Sequence, residues 1–464
     1  MYLIFGLLII TVVFISGCVQ QEAVKGSDQA AQGSNVEIQE PVQQVEGKTT
    51  SPPQGLGRLC SGKQECIDFC MNNRGRCEEY CKNNENELCV TIFPPGQEEH
   101  QEQSQEVSAQ FRWECTGEGP VNFVSPPMRI EEIEMILPIG LMIGGHVTPI
   151  DHGYYTALDW KPEYRDDTTK YKDILAPADG VVRDIGHMPG AKEGEDYRLV
   201  IYHTCTFYTI YIHLWKLSPE LSEALGESSY KVVNVPVKAG EVIGRSGGFD
   251  FSVHDEEVTL KGFIIPKHYE AESWKIHTTD MFNHFVEPMR SQLLEKNVRQ
   301  KEPRGGKIDY DIDGRLVGNW FVENTNGYAG VTDRPGDVGY WRTHLAFAYD
   351  GLDPSLIIVS IGDYNGEALQ FAVKGNAPDP ATISVESGLV KYELVAFGYK
   401  TEEGSDWDRW SFAKISKAYG FDEHVGGVAL VQMLEDRKIK FETFPGKTAS
   451  QVSGFTENAK IYER

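Results

Sequence analysis

Positive charge is what this chain has least of. Its 44 Lys and Arg stand against 69 Asp and Glu, a net charge of −25 over 464 residues. Such a chain offers no field for phosphate, so nucleic acid is not expected as a partner, nor is docking onto anionic lipid. Apolar residues make up 40% and charged residues 24%, a balance that suits soluble domains and excludes a multi-span membrane protein. The length exceeds the ~250–300 residues at which a single core stops growing, so two or three folded units are expected. Cysteine is sparse except in one place: six of the nine lie between Cys60 and Cys89.

The N-terminus holds an uncharged run, residues 2–17, of 16 residues with no Lys or Arg before it. That is short of the ~20 needed to span a bilayer as a helix and fits the apolar region of a secretory signal peptide. Ile15-Ser16-Gly17-Cys18 resembles the lipobox of prokaryotic lipoproteins, which implies lipidation of Cys18. An uncleaved anchor helix is the alternative. Both place the remainder outside the cytoplasm, anchored to a membrane. Residues 19–57 are rich in Gln, Glu, Ser, Gly and Pro without hydrophobic period, a disordered tether. A second linker covers 93–110.

Between them, Cys60, Cys66, Cys70, Cys77, Cys81 and Cys89 are spaced 6, 4, 7, 4 and 8 residues apart. The four-residue steps put each pair on one helix face, and Asn72-Asn73-Arg74-Gly75 makes a turn between two short helices. A disulfide-stapled α-hairpin over 58–92 is expected, with nested pairs Cys70–Cys77, Cys66–Cys81 and Cys60–Cys89 as one of many connectivities. A tetrathiolate zinc site is the rival, with less suitable gaps. Cys115 and Cys205 remain, and even counting pairs them.

The chain as a whole reads as mainly β. From 111 to 300 short apolar runs alternate with Gly, Pro and Asp, with strands expected at Gly180–Ile185, Tyr197–His203, Thr206–His213 and Val242–Gly244. One helix is marked by Ser218 as cap, Pro219 in the first turn and Gly226 as stop. Residues 301–307 read as a charged, glycine-bearing hinge. Beyond it, 308–464 forms an accessory antiparallel β sandwich or barrel, with strands expected at Arg315–Glu323, His344–Tyr349, Leu356–Ile361, Leu369–Val373, Tyr392–Gly398, Val428–Leu434 and Lys438–Phe444. Its Gly318-Asn319-Trp320 weakly resembles the Gly-x-Trp of lipocalin-like barrels, and a core tryptophan is the plainer reading.

Three phrases of the central segment carry a resemblance. Ala176-Pro177-Ala178-Asp179-Gly180-Val181-Val182 sets a turn before a strand, Thr209-Ile210-Tyr211-Ile212-His213-Leu214 ends a strand in histidine, and Val237-Lys238-Ala239-Gly240-Glu241-Val242-Ile243-Gly244 is a glycine turn feeding a strand. In this order they resemble the LytM/lysostaphin-type zinc metallopeptidases, with a duplicated-hybrid-motif β fold. The first and third phrases also occur in biotinyl and lipoyl carrier domains, but no lysine sits at a carrier hairpin tip. The resemblance implies hydrolysis of cell-wall peptides by a zinc ion held on two histidines and an aspartate.

Matched residue by residue, the site is incomplete. His213 matches the active-site histidine. If His152 takes the first ligand's place, the aspartate four residues on is Thr156; if His146 and Asp151 serve, their spacing is one residue too long. The closing His-x-His-Phe-Glu reads Gly248-Phe249-Asp250-Phe251-Ser252, so Asp250 stands for a metal-binding histidine and Gly248 for a catalytic one. His254 shares the face of Asp250 only if the strand continues that far. The expectation is a catalytically degenerate cell-envelope module that binds a peptide or protein partner, or serves as a scaffold, without cleaving it. The alternative is a zinc metalloendopeptidase with metal ligands drawn from His146, Asp151, His152 and Asp250, and His213 as catalytic residue.

Overall fold

The computed structural model describes residues 115–188, 196–331, 339–409 and 411–464. Cys18, the tethers and the cysteine-rich segment at 58–92 lie outside the described residues. Among those described, no helix is long and apolar enough to cross a membrane.

The first half is built from β1 (Ile133–Leu137), β2 (Gly153–Ala157), β3 (Lys172–Leu175), β4 (Gly180–His187), β5 (Tyr197–Tyr202), β6 (Phe207–Leu214), β7 (Lys216–Leu217), β8 (Tyr230–Val237), β9 (Val242–Ser246), β10 (Gly248–Asp255) and β11 (Thr278–Thr279). Strands order as β1-β2-β10-β6-β5-β4-β8 in one antiparallel sheet, with β11 on β10, and β3-β9-β7 form a second. Helix α1 (Pro219–Leu225) begins where Ser218 caps the Leu221 amide and stops at Gly226, whose φ is 66°. Helix α2 (Met289–Lys296) closes this half.

β10 runs unbroken to Asp255, so its side chains alternate over eight residues. Phe249, Phe251 and Val253 enter the apolar core with Tyr155 and Tyr211. Asp250, Ser252 and His254 therefore line the opposite face, and all three are buried. Cys115 and Cys205 are bonded, closing a loop of 90 residues.

The second half is a closed barrel of β12 (Gly318–Val322), β13 (His344–Tyr349), β14 (Ile357–Tyr364), β15 (Glu367–Val373), β16 (Leu389–Thr401), β17 (Ile415–Glu435), β18 (Lys438–Pro445) and β19 (Lys460–Glu463). Closure leaves no free edge. Large side chains fill the interior, among them Trp320, Phe347, Tyr392, Phe441 and Tyr462. Trp320 is a core residue: its indole N–H donates to Leu316 O, and the Arg464 guanidinium stacks 4.1 Å from its ring.

Residues 301–307 depart from the hinge reading. Arg299, fully buried, donates to the carbonyls of Lys301, Glu302 and Gly351, the last belonging to the turn before β14. Arg304 donates to Arg299 O and Leu294 O, and Gly305 O accepts from the Ile139 amide. Arg304, with Arg299 just before the stretch, serves as an internal clamp, while the Lys301 and Glu302 side chains are exposed. Sequence composition signals a solvated connector here because it does not register which carbonyls those guanidinium groups will reach.

Candidate functional site

The sheet gathers the singled-out residues of the first half onto one face. His152 precedes β2, Asp250 sits on β10 opposite Tyr154 of β2 and Ile212 of β6, and His213 stands near the end of β6. Between β5 and β6 the register slips: Leu199 pairs with Tyr211, yet Tyr197 pairs with Leu214. His213 falls within this bulge with a left-handed φ of 66°. A side chain other than glycine held there costs about 1 kcal/mol or more, and bulges re-aim side chains towards sites. The Ser246 hydroxyl donates to His213 O at 2.8 Å and fixes that backbone.

Both imidazoles turn Nε2 towards one oxygen. His152 Nε2 lies 3.4 Å and His213 Nε2 3.6 Å from Asp250 Oδ2. Behind each ring a second carboxylate holds Nδ1: Asp151 Oδ1 is 3.3 Å from His152 Nδ1, and Asp196 Oδ2 accepts from His213 Nδ1 at 2.9 Å. Lys275, with no exposed surface, completes the line 3.9 Å from Asp151 and donates to Pro149 O. Ammonium, carboxylate and imidazole thus alternate from Lys275 through Asp151, His152, Asp250 and His213 to Asp196. Lys275 and Asp196 are the members that sequence reasoning missed, because nothing local marks either of them. The role of Asp196 depends on the β5–β6 pairing that sets it beside His213.

These neighbours shift protonation. Burial disfavours a charged His213, but Asp250 and the bonded Asp196 outweigh it and push the imidazole up to about 9. Burial likewise opposes charge on His152, and Asp250 and Asp151 raise it. Burial alone would raise Asp151; Lys275 and His152 hold it below the usual carboxylate range. Asp250 is raised by burial, with the two imidazoles pulling the other way. His146 packs edge-on to His152 at 5.4 Å, and desolvation, with His152 and Lys275 nearby, pushes it down to about 3. A neutral ring is the result. Beyond Asp250, His254 donates or accepts within a closed set, with Ser252 Oγ at 2.8 Å and Trp274 O at 3.0 Å, so it serves the sheet.

One buried polar atom in this cluster makes no hydrogen bond: His152 Nε2 has only the ion-pair approach of Asp250 Oδ2 at 3.4 Å. The opposite edge of the site is chemically plain. Thr156 and Gly248 are direct cross-strand partners, so the two positions that lack a ligand and a catalytic histidine face each other on β2 and β10. Among the described residues, no three His, Cys, Asp or Glu side chains already surround a common point as a bound ion would require.

No protein-family model matches the chain and no curated protein matches its sequence. One solved structure that does match is described as the SpoIIQ–SpoIIIAH pore-forming complex, with 12% identity, 37% of this chain and 96% of that chain covered, and a TM-score of 0.23. A likeness at that score constrains neither fold nor function.

Proposed function

We propose that this protein is a membrane-anchored, extracytoplasmic lipoprotein whose β-sheet half, resembling the LytM/lysostaphin-type peptidases, binds an envelope peptide or protein without cleaving it. The observation that supports this reading is the Thr156–Gly248 pair. Hydrolysis of this type needs a full ligand set and a second proton-handling side chain, and both vacated positions lie on the same edge of the site. What remains is a neutralised floor, with Asp250 shared between two imidazoles. To test it, the full-length protein is sedimented with isolated envelope of its own host, and free amino groups are counted. Co-sedimentation without new amino groups is expected. Zinc-dependent release of amino groups, lost in His213→Ala, would overturn it.

A zinc-holding site is the second reading, and His152 Nε2 favours it. Each imidazole presents Nε2 while a carboxylate holds Nδ1, the arrangement usual behind metal-bound histidines. Donors on one edge of a tetrahedral zinc site stand ~3.4 Å apart, given bonds of ~2.0–2.1 Å, and the N···O separations here are 3.4 and 3.6 Å. With both imidazoles neutral, three carboxylates against one ammonium leave two negative charges, which one divalent cation would cancel. His152, His213 and Asp250 would have to close on a common point to hold the ion, since among the described residues no three such side chains do so, and bound zinc would polarise a carbonyl. About one zinc per chain by elemental analysis, lost in Asp250→Ala, would support this reading.

A further inference from the structure

The segment that presents His146, Asp151 and His152 leaves the sheet after β1 and returns at β2 as a finger laid on the barrel. Its two arms pair through Gly140 N to Ile150 O at 2.8 Å and Ile150 N to Leu141 O at 3.0 Å. At the tip, Ile143 and His146 exchange backbone hydrogen bonds of 3.0 and 2.9 Å. Met142 packs onto the barrel's outer wall, where Ala346 and Ala348 leave room for close approach. Gln370, on the outward face of β15, grips the tip: its Oε1 accepts from Gly144 N at 2.9 Å and its Nε2 donates to Gly144 O at 3.1 Å and to Ser360 Oγ at 3.2 Å. The Trp341 ring lies so near Gly145 that an added Cβ would stand 3.0 Å from it.

We infer that the barrel is a positioning body for the site, with Gln370 the residue that fixes the finger and so the placing of His146 and His152. A side-chain amide that bonds both backbone groups of one residue sets that residue's orientation as a neighbouring strand would. His213 gives an internal contrast, because its bulge, Ser246 and Asp196 all belong to the sheet half. This inference rests on the cluster being the functional site, and its test needs no ligand.

The test is histidine-selective NMR on the full-length chain. Gln370→Ala is expected to move the His146 and His152 imidazole signals clearly more than the His213 signal, which feels the change only through the shared Asp250. Unchanged signals for all three would overturn the inference, and so would equal displacement of His213, which would mark a general loosening. If Gln370→Ala fails to fold, Gln370→Glu keeps the acceptor for Gly144 N, removes the donor to Gly144 O, and is read by the same criterion. Should the signals behave as expected while envelope binding is absent, the binding reading fails and the positioning role stands.

Discussion

His213 carries the most information of any single residue. Its left-handed φ, its carboxylate pair and its partial exposure all follow from one bulge in β6. In the metal-free protein its raised pKa, about 9, has a definite consequence for stability. The folded state binds this proton more tightly than the unfolded chain, so the contribution is complete below about pH 6.5 and is lost as pH rises through 9. Denaturation midpoints measured from pH 6 to 10 should fall by an amount worth roughly 1–3 kcal/mol. Asp196→Asn should flatten much of that decline. Asp151 works in the opposite sense, its contribution present above the usual carboxylate pKa and lost in acid. A midpoint flat across the alkaline range would show that the two aspartates do not hold His213 protonated. From sequence, the Tyr-x-His phrase drew attention to His213, whereas Asp196 carried no local signal.

At the scale of elements, the strand that decides the site's chemistry is delivered by a turn with no room to spare. A Cβ on Gly247, between β9 and β10, would lie 2.1 Å from the buried Trp160 ring. Gly247→Ala should therefore cost about 2–3 kcal/mol in urea denaturation, and a loss under 0.5 kcal/mol would contradict this. Local patterning made several elements legible. Ser218, Pro219 and Gly226 bracket α1, and the aromatic and β-branched run expected at Thr206–His213 falls in β6, one residue further on at each end. β13 spans His344–Tyr349, as its residues suggest. The finger at 138–152 was not legible, because its glycines and prolines give no period and its order comes from the barrel beneath it. β10 carries the alternation of a strand, Phe249, Phe251 and Val253 against Asp250, Ser252 and His254, but the burial of its polar face was hidden, because such alternation ordinarily marks a face open to water.

The sheet half and the closed barrel share apolar clusters, and at the chain's crossing between them a buried guanidinium stands where a flexible linker was expected. Arg299→Ala would leave three carbonyls at that junction without this donor, that of Gly351 fully buried and those of Lys301 and Glu302 partly so. The expected loss is roughly 3 kcal/mol, and differential scanning calorimetry should resolve two transitions in place of one. A single unshifted transition would show that the junction does not couple the halves. The overall β class and the barrel were readable from turn spacing and strand composition. The histidines singled out from sequence all lie in the first half, but their mutual geometry needed strand register. The proposed binding without hydrolysis turns on Thr156 and Gly248, which vacate one edge of the site. The most direct measurement compares zinc-dependent peptide turnover by the wild-type chain and by the Thr156→Asp, Gly248→His double variant. The account predicts no turnover by the wild type and measurable turnover by the variant, and wild-type turnover abolished by a chelator would contradict it.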